Sequence, residues 1–160
     1  MTVAVGDSVP DVELRTMGAD GPEAVRSGEV LGRGTVVLFA VPGAFTPTCS
    51  DYHLPGFVLR ADDLRDKGVD VVACVAVNDA FVMGAWGEAQ HVGGSVLMLG
   101  DGNAEFTRAM GLEADLSGAG LGVRSKRYAA ILEDGVIRAL LVEPVRGLDV
   151  SSVESVLAAL

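Results

Sequence analysis

The sequence predicts an α/β domain built on a central mixed sheet with helices on both faces. Strand-like and helix-like stretches alternate along the first two thirds of the chain. Two of the strand-like ones, TVVLFAV (Thr35 to Val41) and VDVVACVAV (Val69 to Val77), are near-continuous apolar runs rich in β-branched residues, as expected for strands buried on both faces. Further on, RYAAILEDGVIRALLVE carries two apolar stretches separated by Asp134-Gly135, a strong signal for a two-residue hairpin that supplies antiparallel strands. With 160 residues, 49% of them hydrophobic, the chain has enough apolar surface for one domain over 1–160 with a sizeable core, and no repeat or linker divides it.

Each element has a local reason. After Thr35–Val41 a helix is expected from Pro47 to about Asp66, with Leu54, Val58, Ala61 and Leu64 on one side and a kink or a missing hydrogen bond at Pro55. Past the second strand, Asn78 and Asp79 can cap a helix whose Phe81, Val82, Ala85, Trp86 and Ala89 share a face. Val96 to Leu99 reads as a short strand, and Ala104 to Met110 as a short helix ended by Gly111. Ser151 opens the last helix, to Ala159, with Glu154 three residues on as a capping box. Runs of strands separated by helices and closed by a hairpin give the mixed sheet.

Charge narrows the partners. The formal net charge is −10, which repels phosphate backbones and anionic lipid surfaces, so nucleic acid and membrane are not expected partners. No stretch approaches the ~18 apolar residues of a membrane span, and MTVAVGDSVPDVEL has neither the basic start nor the apolar run of a signal peptide. A cytoplasmic location is the expectation. Only two cysteines occur, Cys49 and Cys74, too few for a disulfide framework. In a reducing compartment such cysteines are packing residues or reactive thiols.

The setting of Cys49 bears on that choice. Thr46 suits a helix N-cap and Pro47 the first helical position, which places Cys49 third, near free backbone N–H groups at the positive end of the helix dipole. That position favours thiolate over thiol. A small buried hydrophobe accounts equally well for the residue. His53, four residues on, shares the face of Cys49 and could serve as base, ligand or hydrogen-bonding neighbour. A zinc reading would recruit Cys49, His53, Cys74 and His91, but Cys49 and His53 are the only close pair, and one pair does not complete a tetrahedral site. No metal and no cofactor is expected.

The stretch VPGAFTPTCSDYHLPGF resembles the active-site segment of peroxiredoxins, in particular the peroxiredoxin-5 or type II branch. The likeness extends to GDSVPDVEL, VNDAFVMGAW and GLGVRSKRYAAILEDG, nearly the whole chain. It implies a thioredoxin-like fold and a thiol-dependent peroxidase acting on hydrogen peroxide and small alkyl hydroperoxides. By that resemblance Cys49 is the peroxidatic cysteine, Thr46 the hydroxyl that contacts peroxide, Pro42 the shield of the site, and Arg127 the arginine of the pocket. Arg124 and His53 are supporting residues, Gly43 forms a tight turn, and Phe45 lies near a contact between two subunits of a homodimer.

Cys74 matches a second cysteine of plant and bacterial type II members and is the candidate resolving thiol. It stands in the middle of a strand-like run, however, and turnover with an outside thiol (glutaredoxin, thioredoxin or a small thiol) is the expectation. Trp86 and Met83 read as core or interface. The same fold admits two other readings. One is a thiol-disulfide oxidoreductase, disfavoured because Thr46 stands where a CxxC motif needs cysteine. The other is a redox-regulated chaperone or signalling partner without significant turnover.

Overall fold

The computed structural model describes residues 1–160. At its centre, β3 (Thr35–Ala40), β4 (Val71–Ala76) and β5 (Leu97–Gly100) run parallel. Their sequences are almost wholly apolar because layers of side chains cover both faces. Parallel neighbours require crossovers, and helices supply them. Between β3 and β4 lie a π-helical turn over Cys49–His53, α2 (Leu54–Leu59) and α3 (Ala61–Asp66); between β4 and β5 lies α4 (Ala80–Ala89). The hairpin of β8 (Tyr128–Glu133) and β9 (Val136–Val142) adds to β3 antiparallel, with Asp134 and Gly135 both at positive φ as a two-residue turn demands.

The opposite side of the sheet goes unread in the sequence, although Val12-Glu13-Leu14-Arg15-Thr16 alternates as a strand does. A hairpin of β1 (Glu13–Gly18) and β2 (Gly21–Arg26) pairs there with β5, giving the order β2-β1-β5-β4-β3-β8-β9, and a four-residue helix, α1 (Ser27–Val30), follows it. Its residues are mostly exposed, so the apolar alternation that marks a strand is missing from GPEAVR. The rest comprises α5 (Glu105–Met110), ended by Gly111 at φ 70°, a separate ribbon of β6 (Glu113–Asp115) and β7 (Val123–Ser125), and α6 (Val153–Ala159).

Strand alternation divides the core in two. Val37, Phe39, Cys74 and Ala76 point to one face and meet Phe57, Leu64, Trp86 and Val156 from α2, α3, α4 and α6. Val36, Leu38, Ala73 and Val75 point to the other, toward Leu31, Phe106 and Met110. Helices therefore cover both faces of a mixed sheet, as the sequence predicts.

Several helix expectations are corrected, among them the inward face of α4, which is Ala80, Met83, Trp86 and Gly87 while Phe81, Ala85 and Ala89 are exposed. The helix expected over 47–66 is not one kinked helix. It turns helical at Pro47, widens to a π-turn at Cys49–His53, where the Leu54 N–H reaches the Cys49 carbonyl, and breaks at Arg60 (φ −103°, ψ 17°). Pro55 has no N–H and would crowd the carbonyl four residues back; widening the turn just ahead of it accommodates both defects. The last helix is capped by Ser152, whose hydroxyl accepts from the Ser155 N–H at 3.2 Å, and not by Ser151. The Ser151 hydroxyl is committed to the Glu143 carboxylate at 2.6 Å, so the expected box with Glu154 does not form.

Candidate active site

The site lies where β3 ends. Val41 continues the ladder through its N–H to the Val75 carbonyl (3.2 Å), after which the chain leaves the sheet. Asn78, expected as a helix cap, instead accepts from the Ala44 N–H at 3.0 Å, while Asp79 alone caps α4. Phe45 follows at φ 66°, a left-handed conformation that costs a non-glycine residue about 1–2 kcal/mol and turns the chain into the helix. Gly43 opens the tight turn, its carbonyl accepting from the Thr46 N–H at 3.4 Å, and a Cβ there would stand 2.8 Å from an Arg124 guanidinium nitrogen and push that side chain aside. Arg124, on β7, donates to the carbonyls of Pro42 (3.3 Å) and Leu121 (2.9 Å), so it braces this loop without touching Cys49.

Ser50 N–H donates to the Thr46 carbonyl at 2.9 Å, the first helical bond, and Cys49 stands ahead of it in the opening turn. Its Sγ is fully buried, with Arg127 Nη2 at 3.0 Å and the Thr46 hydroxyl at 2.9 Å. The same hydroxyl lies 2.8 Å from the Gly43 carbonyl. Thr46 thus caps with its backbone carbonyl only; its side chain serves the sulfur. Having one hydrogen and two acceptors, it donates to one of them at a time.

His53 is the structural partner of the arginine. Its Nδ1 lies 2.9 Å from Arg127 Nη1 and its Nε2 2.9 Å from the Ser151 carbonyl. Guanidinium can only donate, so Nδ1 accepts and Nε2 carries the proton. Burial, reinforced by the Arg127 charge, holds its pKa down at about 3, and the ring is neutral. Phe39 and Phe57, stacked with centroids 4.1 Å apart, lie against it and exclude water. Neutral His53 therefore aims the arginine and is no general base at neutral pH.

A stability consequence follows. The unfolded chain binds a proton at His53 near pH 6.5, whereas the folded chain refuses it until about pH 3. The contribution is thus complete above pH 6.5 and lost as pH falls toward 3. Urea unfolding is expected to show a loss of about 2 kcal/mol between pH 7 and 5 from this residue. A His53→Gln variant that keeps the whole of that slope would contradict the assignment.

Cys74 occupies the middle of β4, fully buried between Phe39 of β3 and Met98 of β5. Burial pushes its thiol pKa up, and Cys49 nearby adds to that. Trp86 is buried and donates from Nε1 to the Ser50 hydroxyl at 3.0 Å, tying α4 to the residue after Cys49. His91 lies at the far end of α4 among Arg65, Glu88 and Val92, and the residues of the zinc reading do not assemble.

The structure therefore brings Cys49, Thr46, His53 and Arg127 together, with Pro42 in the loop ahead of Cys49 and Arg124 of β7 bracing that loop. Sequence reasoning missed Ser50 and Glu143, and read Asn78 and Ser151 as helix caps only. Each acts through a partner many residues distant, and no local pattern marks such a pairing.

The sequence profile described as Redoxin matches residues 4–157. Over 164 residues the chain is 53% identical to "Peroxiredoxin-2E-2, chloroplastic" of Oryza sativa subsp. japonica, covering 99% of this chain and 73% of that protein. Among solved structures, reduced Prx3 of Vibrio vulnificus in complex with hydrogen peroxide matches with a TM-score of 0.94 at 50% identity over 99% of each chain. Peroxiredoxin 5 of Alvinella pompejana matches with a TM-score of 0.87 at 34% identity, over 98% of this chain and 97% of that one.

Proposed function

The chain belongs to the redoxin family as a peroxiredoxin of the peroxiredoxin-5 or type II kind, and we propose that Cys49 is the thiol that carries its peroxidase activity. Peroxiredoxins are thiol-dependent peroxidases, and this chain is one. The observation that carries the site assignment is the pair of contacts on one buried sulfur, Arg127 at 3.0 Å and Thr46 at 2.9 Å.

The chemistry follows from those contacts. The Cys49 thiolate attacks one peroxide oxygen in line with the O–O bond. A sulfur–oxygen bond forms, the O–O bond breaks, and its electron pair leaves on the far oxygen, which takes a proton and departs as water or alcohol. Arg127 faces the negative charge throughout, first on sulfur and then on the departing oxygen. Thr46 turns its hydrogen to the Gly43 carbonyl and offers a lone pair to the peroxide O–H. Pro42, lacking an N–H, gives the pocket wall no backbone donor to hold water against the sulfur. The product is Cys49 sulfenic acid, two electrons more oxidised than the thiol. Full burial of Sγ restricts entry, which supports hydrogen peroxide and small alkyl hydroperoxides as substrates.

Recycling needs two reducing equivalents. We assign them to an outside thiol, either glutaredoxin, thioredoxin or a small thiol. Because Sγ is fully buried, the helix start has to open before a first thiolate attacks the sulfenic sulfur and releases water; a second then cleaves the mixed disulfide. A bridge to Cys74 would need Cα atoms within about 7 Å and access to a sulfur enclosed in the sheet. Cys74→Ser is therefore expected to turn over at about the wild-type rate with at least one member of a panel of those reductants. Mass spectrometry after one equivalent of peroxide should find sulfenic acid or a mixed disulfide at Cys49. A dominant Cys49–Cys74 bridge, with Cys74→Ser inactive under every reductant, would overturn this cycle.

Exposed Phe45, Tyr52 and Val145 support a homodimer that meets beside the site, and the need for reducing thiols supports a cytoplasmic location.

A further inference from the structure

Arg127 is held at both ends, and both ends lead to Glu143. The Glu143 N–H donates to the Arg127 carbonyl at 3.0 Å, just beyond the last β8–β9 pair, Tyr128 and Val142. The carboxylate of the same residue turns to the segment ahead of α6. Oε2 accepts from the N–H groups of Asp149 (2.8 Å) and Ser151 (2.8 Å) and from the Ser151 hydroxyl (2.6 Å), and Oε1 accepts from the Val150 N–H (3.3 Å). Four donors on one side chain fix that turn. What it presents inward is the Ser151 carbonyl, 2.9 Å from His53 Nε2, and His53 Nδ1 in turn meets Arg127 Nη1. The ring closes on the arginine whose other nitrogen touches the Cys49 sulfur.

We propose that Glu143 is a positioning residue of the peroxidase reaction, setting the direction of the Arg127 guanidinium through the Ser151 carbonyl and His53. The physical argument is one of lost freedom. A guanidinium at the end of a flexible stem must be immobilised before charge develops on the departing oxygen, or the gain is spent on ordering it. His53 immobilises it only if its own ring is fixed, and the ring is fixed from the far side by one carbonyl. That carbonyl belongs to an irregular segment with no strand partner, and the carboxylate takes the strand's place. Burial works to raise the Glu143 pKa, but the hydrogen bonds from Ser151, Asp149 and Val150 outweigh it and leave the group an anion with a fixed set of donors. Ionised carboxylate is the side chain that can accept from all four, since an amide would set a donor against one of them.

The proposal rests on Cys49 as the reacting thiol, and its test separates the two. Second-order rate constants for oxidation by hydrogen peroxide are measured by stopped flow for Glu143→Ala and Glu143→Gln, each in the wild-type and the His53→Ala background. Alkylation of Cys49 by iodoacetamide, which has no departing peroxide oxygen, serves as the comparison reaction. Glu143→Ala is expected to slow oxidation by about 10- to 100-fold, by analogy with the cost of removing the outer partners that orient metal ligands. Its alkylation rate should change far less.

Glu143→Gln, whose amide oxygen retains three of the bonds, should lose less and so rescue in part. In the His53→Ala background both substitutions should have little further effect, because residues acting through one relay are not additive. Oxidation at the wild-type rate, or losses that simply multiply with that of His53→Ala, would overturn the inference. If Glu143→Ala does not fold, Glu143→Gln and its cycle with His53→Ala decide the matter alone. Failure of the site reading is recognised separately, by oxidation that persists in Cys49→Ser.

Discussion

Cys49→Ser is expected to abolish peroxide reduction while leaving the fold and melting temperature close to those of the wild type. Serine differs by one atom and keeps a donor and acceptor between Thr46 and Arg127, so packing at this fully buried position changes little. The chemistry is lost because a serine hydroxyl is not ionised at neutral pH and its hard oxygen is a poor nucleophile toward an O–O bond, whereas sulfur is polarisable. Peroxide consumption with saturating reductant should fall to the background of the uncatalysed thiol reaction. Retention of most activity would transfer the reaction to Cys74, the one other thiol, and sink the site as drawn.

Arg127→Ala carries the second largest effect. Oxidation of Cys49 should slow by roughly 10- to 1000-fold, the range for loss of one preorganised charge stabiliser in a water-excluded site. Two losses combine: the contact to Sγ disappears, and His53 Nδ1 is left without its donor in the core. Arg127→Lys should recover only part of the rate. A single ammonium lacks the planar fork that reaches the ring nitrogen and the sulfur together. Stopped-flow oxidation is the measurement, with Arg124→Ala as the control. Arg124 contacts backbone carbonyls in the loop and lies outside the sulfur's contacts, so its removal should cost less. Wild-type rates in Arg127→Ala, or a greater loss in Arg124→Ala, would mean that the wrong arginine has been assigned.

Much of the fold is legible in the sequence, and the reasons are local. TVVLFAV and VDVVACVAV announce buried strands because a central parallel strand has no polar face to display. Asp134-Gly135 announces its turn because only residues tolerant of positive φ close a two-residue hairpin, and both adopt it. Thr46-Pro47 marks the helix start because proline cannot donate deeper inside. β2 leaves no such mark because it is the exposed edge strand, where burial does not constrain the residue types, while its partner β1 shows only a short alternation around the buried Leu14.

Read from its own residues, the sequence predicts a mixed α/β domain with Cys49 at a helix start, where a thiolate and a packing role fit equally well, and the family likeness assigns Thr46 to the peroxide. The family likeness added Arg127, which no spacing argument could connect to a cysteine 78 residues earlier. How the arginine is held emerges from the assembled fold. His53 reads from sequence as a base or a ligand, and becomes a neutral acceptor because two phenylalanine rings and a cation surround it. Ser151 reads as a cap, and becomes the carbonyl that fixes His53 because Glu143 claims its hydroxyl. Patterns along a chain report contacts within a few residues, where backbone geometry dictates who meets whom. Hydrogen bonds spanning eight to ninety-eight residues arise only after the sheet has assembled and brought its ends together.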